Sequence, residues 1–199
     1  MHSNHAILVN IPDAAESVNM NLAEMTKEEI KEMVINYATE ETERFADRAF
    51  DYRVLLDDEE HEEGEIEFGH PVVFANEDWE IFEEILIEKD RGQKAEAKFT
   101  LEYLKETAGS TDVSEILSNL LLANDRTANR EDVDSNTWRF DFLNQGTWAL
   151  RHLANLIHGD YIFDSAFYDT SRGTALVPFI AKLKENPSEW ALVQFDYHN

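Results

Sequence analysis

Cysteine is absent from all 199 residues, which excludes disulfides, thiol nucleophiles and thiolate metal sites. No apolar run approaches the roughly 18 residues that would suggest a membrane span. The opening "MHSNHAILVNIPD" lacks a basic flank, and its apolar run is too short for a signal peptide. The one "N-x-S/T" triplet, Asn186-Pro187-Ser188, is blocked by its proline. A cytoplasmic location is expected. Basic residues are scarce: 17 Lys and Arg stand against 42 Asp and Glu, a formal charge of −25. That balance disfavours direct contact with nucleic acid or an anionic membrane. It favours basic partners or cations.

What is present argues for a folded core. Hydrophobic residues make up 43% and aromatics 11%, too much for a disordered chain. The length suits one domain. There is no internal repeat, and no low-complexity linker beyond one acidic stretch. "HAILVNI" (5–11) reads as a strand, followed by an irregular "PDAAESVNMNLAEM". "TKEE" then offers a capping box, with Thr26 as N-cap and Glu29 reaching back, for a helix to about Phe50. Ile30, Met33, Val34, Tyr37, Glu41 and Phe45 fall near one face of it. Glu28, Glu32, Glu40, Glu43 and Asp47 fall largely on the other.

"DYRVLL" and the alternation of Ile66, Phe68, His70, Val72 and Phe74 read as two strands around an acidic connection, a hairpin. Pro71 places its strand at a sheet edge or breaks it. Asn76 is the expected N-cap of a helix to about Asp90, burying Trp79, Phe82, Ile85 and Leu86 under a wet side of Glu77, Glu80, Glu83, Glu84 and Glu88. Further helices are expected at "AEAKFTLEYLKETAG", at Asp112–Leu121, at "TWALRHLANLIH" and after Pro178. Further strands are expected at "TWRFDFL", "YIFDSAFYD" and "WALVQFDYH". The fold class is therefore α+β, a mixed sheet of about six strands packed with about six helices and carrying an acidic hairpin over Asp57–Phe74. A single domain over 1–199 is expected, in which an acidic 26–108 portion packs with a less charged, βαβαβ-like 138–199 portion.

The charge is uneven. Residues 1–120 carry 31 acids and 10 bases, and residues 121–199 carry 11 and 7. Eight of the acids lie between Asp57 and His70, with no Lys or Arg among them. Such asymmetry points to an acidic surface built on the Thr26 helix, the hairpin and the Asn76 helix, all expected to share one outer face. Its partner-facing residues would be Glu28, Glu32, Glu40, Glu43, Asp57, Asp58, Glu59, Glu60, Glu62, Glu63, Glu77, Glu80, Glu84 and Glu88. Halophilic adaptation is the global rival, because it also raises acid content.

Chemistry is harder to find. Setting Gly64 at the sixth position of a calcium loop leaves His61 at the third and His70 at the twelfth, where a bidentate Glu is required. "DVDSN" (132–136) begins like such a loop but continues with Thr137, where glycine is needed, and closes on Leu143. "DTSRG" (169–173) reads as a turn and helix start rather than a phosphate cradle. No "GxGxxG", Walker loop, "HExxH" or "GxSxG" occurs. The sharpest constellation is Asp164 with Asp196 and His198. If their strands were adjacent and in register, these could hold a divalent metal or carry out acid–base work.

Charge is thus the strongest functional signal, and no cofactor is implied. In composition and charge layout the chain resembles the DNA-mimic inhibitors that phages and mobile elements direct against DNA-binding host proteins. The resemblance lies in charge over about the first two-thirds of the chain, and no motif or functional residue carries across. It implies a cytoplasmic binding protein that engages a basic, nucleic-acid-binding protein surface. The alternatives are a metal-dependent or acid–base enzyme near Asp164, Asp196 and His198, or a generic acidic interaction module.

Overall fold

The two strand-like stretches at opposite ends of the chain pair with each other. A computed structural model describes residues 2–49, 52–56, 70–108, 154 and 166–198. In it β1 (His2–Asn10) and β5 (Trp190–His198) run antiparallel in unbroken register, from His2 opposite His198 to Asn10 opposite Trp190. β4 (Phe167–Asp169) adds to β1 in parallel. The other side of β5 takes β2 (Tyr52–Leu55) and β3 (Val72–Phe74), both antiparallel to it. The described residues thus form a mixed five-stranded sheet with four helices: α1 (Ile11–Ser17), α2 (Lys27–Ala49), α3 (Trp79–Ala108) and α4 (Ile180–Leu183). The chain divides into two compact units, Met1–Gln93 with Gly159–Asn199, and Lys94–His158. The sheet belongs to the first.

Strand alternation assigns each side chain to one of two layers. Ile7 and Val9 of β1, with Val193, Phe195 and Tyr197 of β5, pack against Ala14 and Ala15 of α1 and Met33, Val34 and Ala38 of α2. Ala6, Leu8, Val73 and Leu192 face the opposite way, against Phe82, Ile85 and Leu86 of α3 and Leu183 of α4. Each buried Val, Leu, Ile, Phe or Met among these contributes about 1.5–3 kcal/mol, and each alanine methyl less. The exposed Lys27–Glu77 ion pair at 2.7 Å contributes at most about 1 kcal/mol. Apolar burial therefore holds the helices, and it holds α2 and α3 on opposite faces of the sheet.

Several expectations are corrected. β2 and β3 do not form a hairpin with each other; they lie end to end along β5. Leu56 N–H donates to the Gln194 carbonyl at 3.1 Å, and Gln194 N–H donates to the Pro71 carbonyl at 2.9 Å. Two residues of the edge thus oppose one of β5, the count of a β-bulge, with the acidic segment inserted between them. Pro71 lies on the outermost described strand column, facing Gln194; the Gln194 carbonyl, which a donor at 71 would reach, takes the Leu56 N–H instead. The "irregular" segment after β1 begins as α1, capped by the Asn10 side chain, which accepts from Asp13 N–H at 3.1 Å, with Pro12 in the first turn.

The helix expected to end near Asp90 continues through Gly92 to Ala108 and merges with the next one. Its cap is Asp78, accepting from Ile81 N–H at 3.1 Å, not Asn76. The Phe74 carbonyl has already drawn Glu77 and Asp78 N–H into a turn, which moves the start of the helix by two residues. Pro178 precedes the Phe179 N-cap of α4 rather than lying in its first turn. "DTSRG" is a turn only, closed by mutual backbone bonds between Asp169 and Thr174. The strand expected at "TWRFDFL" and the helices at Asp112–Leu121 and "TWALRHLANLIH" lie outside the described residues, apart from Ala154.

Polar groups brace the sheet where the insertion leaves it. Gln194 is buried; its amide donates to the His70 carbonyl at 2.9 Å and accepts from Asn4 Nδ2 at 3.2 Å. Lys89 of α3 donates to the Asn4 carbonyl at 2.8 Å, and burial pushes its amine below the ordinary lysine range. On the other face His5 is buried with its ring 4.4 Å from that of Tyr197. Burial first, and Lys89 second, lower the imidazole from 6.5 to about 3.

Two outcomes follow. Because both ends of the insertion meet at Gln194, replacing residues 57–69 with two glycines should leave a folded sheet, with a melting temperature at or above that of the full chain by circular dichroism. Loss of the cooperative transition would contradict this register. For His5, the unfolded chain takes up a proton below pH 6.5 and the folded chain does not until about 3, so stability present above 6.5 is lost as pH falls. Between pH 7 and 5 the full chain should lose about 2 kcal/mol more than the His5→Phe variant in urea unfolding. Equal pH slopes would contradict the buried, neutral imidazole.

Candidate functional site

After α1 the chain turns through Asn19, which takes φ of 54°, a left-handed conformation that asparagine tolerates better than most residues. The turn leaves Val18 and Met20 exposed, at 48% and 54%. A 3-10 turn, Leu22–Glu24, is capped by Asn21, whose amide also donates to Glu24 Oε1 at 2.9 Å. α2 then begins at the expected capping box. Thr26 N–H donates to Glu29 Oε2 at 2.7 Å, and Glu29 N–H donates to Thr26 Oγ1 at 3.3 Å. The backbone hydrogen bond from Thr26, followed by its hydroxyl, holds the Glu29 carboxyl below the usual carboxylate range.

Between this segment and α2 lies a cleft of about 620 Å³. Glu24, Glu29, Glu32 and Glu40 supply its carboxylates; Val18, Met20, Met25, Met33 and Tyr37 supply apolar surface. Along α2 the lining positions are 29, 32, 33, 36, 37 and 40, the spacing of one helical face. Met33 is buried and Tyr37 half-buried, while Glu32 and Glu40 are exposed. Neither of these two glutamates meets a basic group among the described residues. Burial, and then the charges of Glu41 and Asp13, raise the Tyr37 phenol above its ordinary value, so it stays protonated at neutral pH.

The sequence-derived acidic residues separate into groups. Glu28, Glu32, Glu40 and Glu43 are exposed on α2, and Glu80, Glu84 and Glu88 are exposed on α3. Since those helices cover opposite faces of the sheet, the expected single outer face is corrected to two. Glu77 lies in the turn before α3, ion-paired to Lys27 at the start of α2. Asp57, Asp58, Glu59, Glu60, Glu62 and Glu63 lie outside the described residues. What sequence reading missed is the cleft. Glu24 and Met25 fell in a stretch read as irregular, and Glu29 was read only as a cap. The usable signal was that three of the four methionines, Met20, Met25 and Met33, fall within 14 residues among acids.

Two members of the alternative trio, Asp196 and His198, lie on β5. Asp164 lies outside the described residues. Asp196 is half-buried on β5, with Asn4 and Val54 as its Cα partners, and His198 pairs with His2 and Tyr52. Among the described residues no three His, Asp or Glu groups could hold a metal ion. Because the ligand order of Asp57–His70 fails the calcium pattern, calorimetry with calcium, magnesium and zinc should show at most weak binding by that stretch; micromolar affinity lost in a Glu59→Gln/Glu63→Gln double variant would contradict this. No helix among the described residues is long and apolar enough to cross a membrane. No family model, no curated protein and no solved structure matches the chain, so the reading of its function rests on this chemistry.

Proposed function

We propose that the protein binds the basic, nucleic-acid-binding surface of another protein through carboxylates displayed on rigid helices. The observation that supports this best is the pairing of a charge of −25 with exposed glutamates on α2 and α3, elements anchored by apolar burial. Helical display avoids the ordering entropy that an acidic tail would lose on binding. Such mutual repulsion among like charges works against the compact state, so a partner that neutralises it gains from doing so.

Imitation of duplex DNA, in the manner of phage or mobile-element inhibitors, is the stricter form of this reading. Duplex DNA presents about one charge per 1.7 Å of axis. A row such as Glu80, Glu84 and Glu88 offers one per about 6 Å, since four residues rise 1.5 Å each. Matching the duplex would take three or four such rows on one side, and α2 and α3 contribute to different sides. The geometry therefore favours a basic partner engaged on one side over full duplex imitation.

Capture from a cell lysate on the immobilised protein tests the reading. A nucleic-acid-binding protein should be retained at about 50 mM salt, released as salt rises past the range where screening reaches about 8 Å, and displaced by added duplex DNA. Changing Glu28, Glu32, Glu40 and Glu43 on α2 to Gln, or separately Glu80, Glu84 and Glu88 on α3, should weaken retention, most at low salt, for whichever helix faces the partner. Retention unaffected by salt, by DNA and by both sets would mean that the acids serve solvation alone.

A further inference from the structure

Charge alone does not explain why the acidic side of α2 borders a cleft that also presents Val18, Met20, Met25, Met33 and Tyr37 among polar residues. A solvated acidic surface gains nothing from exposing Val18 and Met20 beside Met25, Met33 and Tyr37. We propose that this cleft receives the apolar stripe of a basic amphipathic helix from a partner protein, its Lys and Arg side chains meeting Glu24, Glu32 and Glu40 along the rim. The inference rests on the basic-partner reading and assigns it a site.

Three features select this occupant. The volume of about 620 Å³ falls within the roughly 300–1,000 Å³ of ligand clefts and accommodates a few side chains. Its length along α2, from residue 29 to residue 40, is about 17 Å at 1.5 Å per residue, close to three turns of a docked helix. Three of its lining residues are methionines, whose unbranched, polarisable side chains adapt to differing apolar partners; such surfaces receive helices through anchors at i, i+3 or i+4, and i+7. The sign of the charge settles the rest. Glu32 and Glu40 form no ion pair with a described side chain and lie about one helical turn either side of Asn36 and Tyr37. Lysine and arginine fit this combination well, since their aliphatic stems lie on apolar surface while their charged ends reach a carboxylate.

The test uses the full chain with methyl-labelled methionine and a 14-residue helical peptide of Leu and Lys bearing one apolar stripe. Its controls are an all-Lys peptide and the same composition scrambled to remove the stripe. The striped peptide should move the methyl signals of Met20, Met25 and Met33 and leave Met1 in place. The Glu32→Gln/Glu40→Gln variant should weaken its binding about fivefold at low salt, and Met20→Ser about threefold, whereas Glu80→Gln/Glu84→Gln/Glu88→Gln should change it less than about twofold. All these positions are exposed, so the variants keep the core intact. If the α3 variant weakens binding more than the cleft variants, or the scrambled or all-Lys peptide binds as tightly as the striped one, the cleft assignment falls and the basic-partner reading stands. If no cationic peptide binds even at low salt, both fall.

Discussion

The continuous pairing of β1 with β5 is the constraint on which the rest of the structure depends. It joins the two ends of the chain at the centre of the sheet, residue for residue, from His2–His198 to Asn10–Trp190. Because side chains alternate across a strand, that single register decides that Ile7, Val9, Val193 and Phe195 face α1 and α2 while Ala6, Leu8 and Leu192 face α3 and α4. A slip of one residue would exchange the layers and turn buried His5 and Gln194 to the wrong sides. The distribution of negative charge follows from it too: helices on opposite faces carry their carboxylates in opposite directions.

Gln194 shows how a large acidic insertion is tolerated without damage to this register. The edge strand leaves β5 at Leu56 and returns at Pro71, both opposite the same residue. The side-chain amide of Gln194 then ties the return at His70 to Asn4 of β1. Ends held this close make a long excursion inexpensive, because the entropy of closing a loop grows only with the logarithm of its length.

Much of this was legible in the sequence where local signals act alone. The apolar runs of β1 and β5, the Thr26–Glu29 capping box and the buried set Phe82, Ile85 and Leu86 all follow from periodicity and capping chemistry. The mixed α+β class followed as well. What failed depended on tertiary pairing. Two strands around an acidic connection satisfy a hairpin pattern, yet β5 was a longer template for both β2 and β3. The Asn76 helix was expected to stop near Asp90, but α3 continues past it, with Lys89 and Gln93 on either side of that stop each bonded to the rest of the first unit. α1 was hidden because its cap, Asn10, belongs to the preceding strand. The cleft escaped for the same reason: its two walls come from segments that read separately as a polar connection and a helix face, and only folding sets Met20 and Met25 across from Met33 and Tyr37.

The central claim is that the carboxylates bordering the cleft, Glu24, Glu32 and Glu40, are contact residues for a cationic partner, not part of a uniform coat. Zero-length carbodiimide cross-linking to a Lys-bearing amphipathic helix, followed by peptide mapping, reads this directly, since only a carboxylate touching an amine is joined. The account predicts that the cross-links concentrate at Glu24, Glu32 and Glu40 and vanish at high salt. Cross-links spread evenly over Glu28, Glu43, Glu80, Glu84 and Glu88 as well would contradict it.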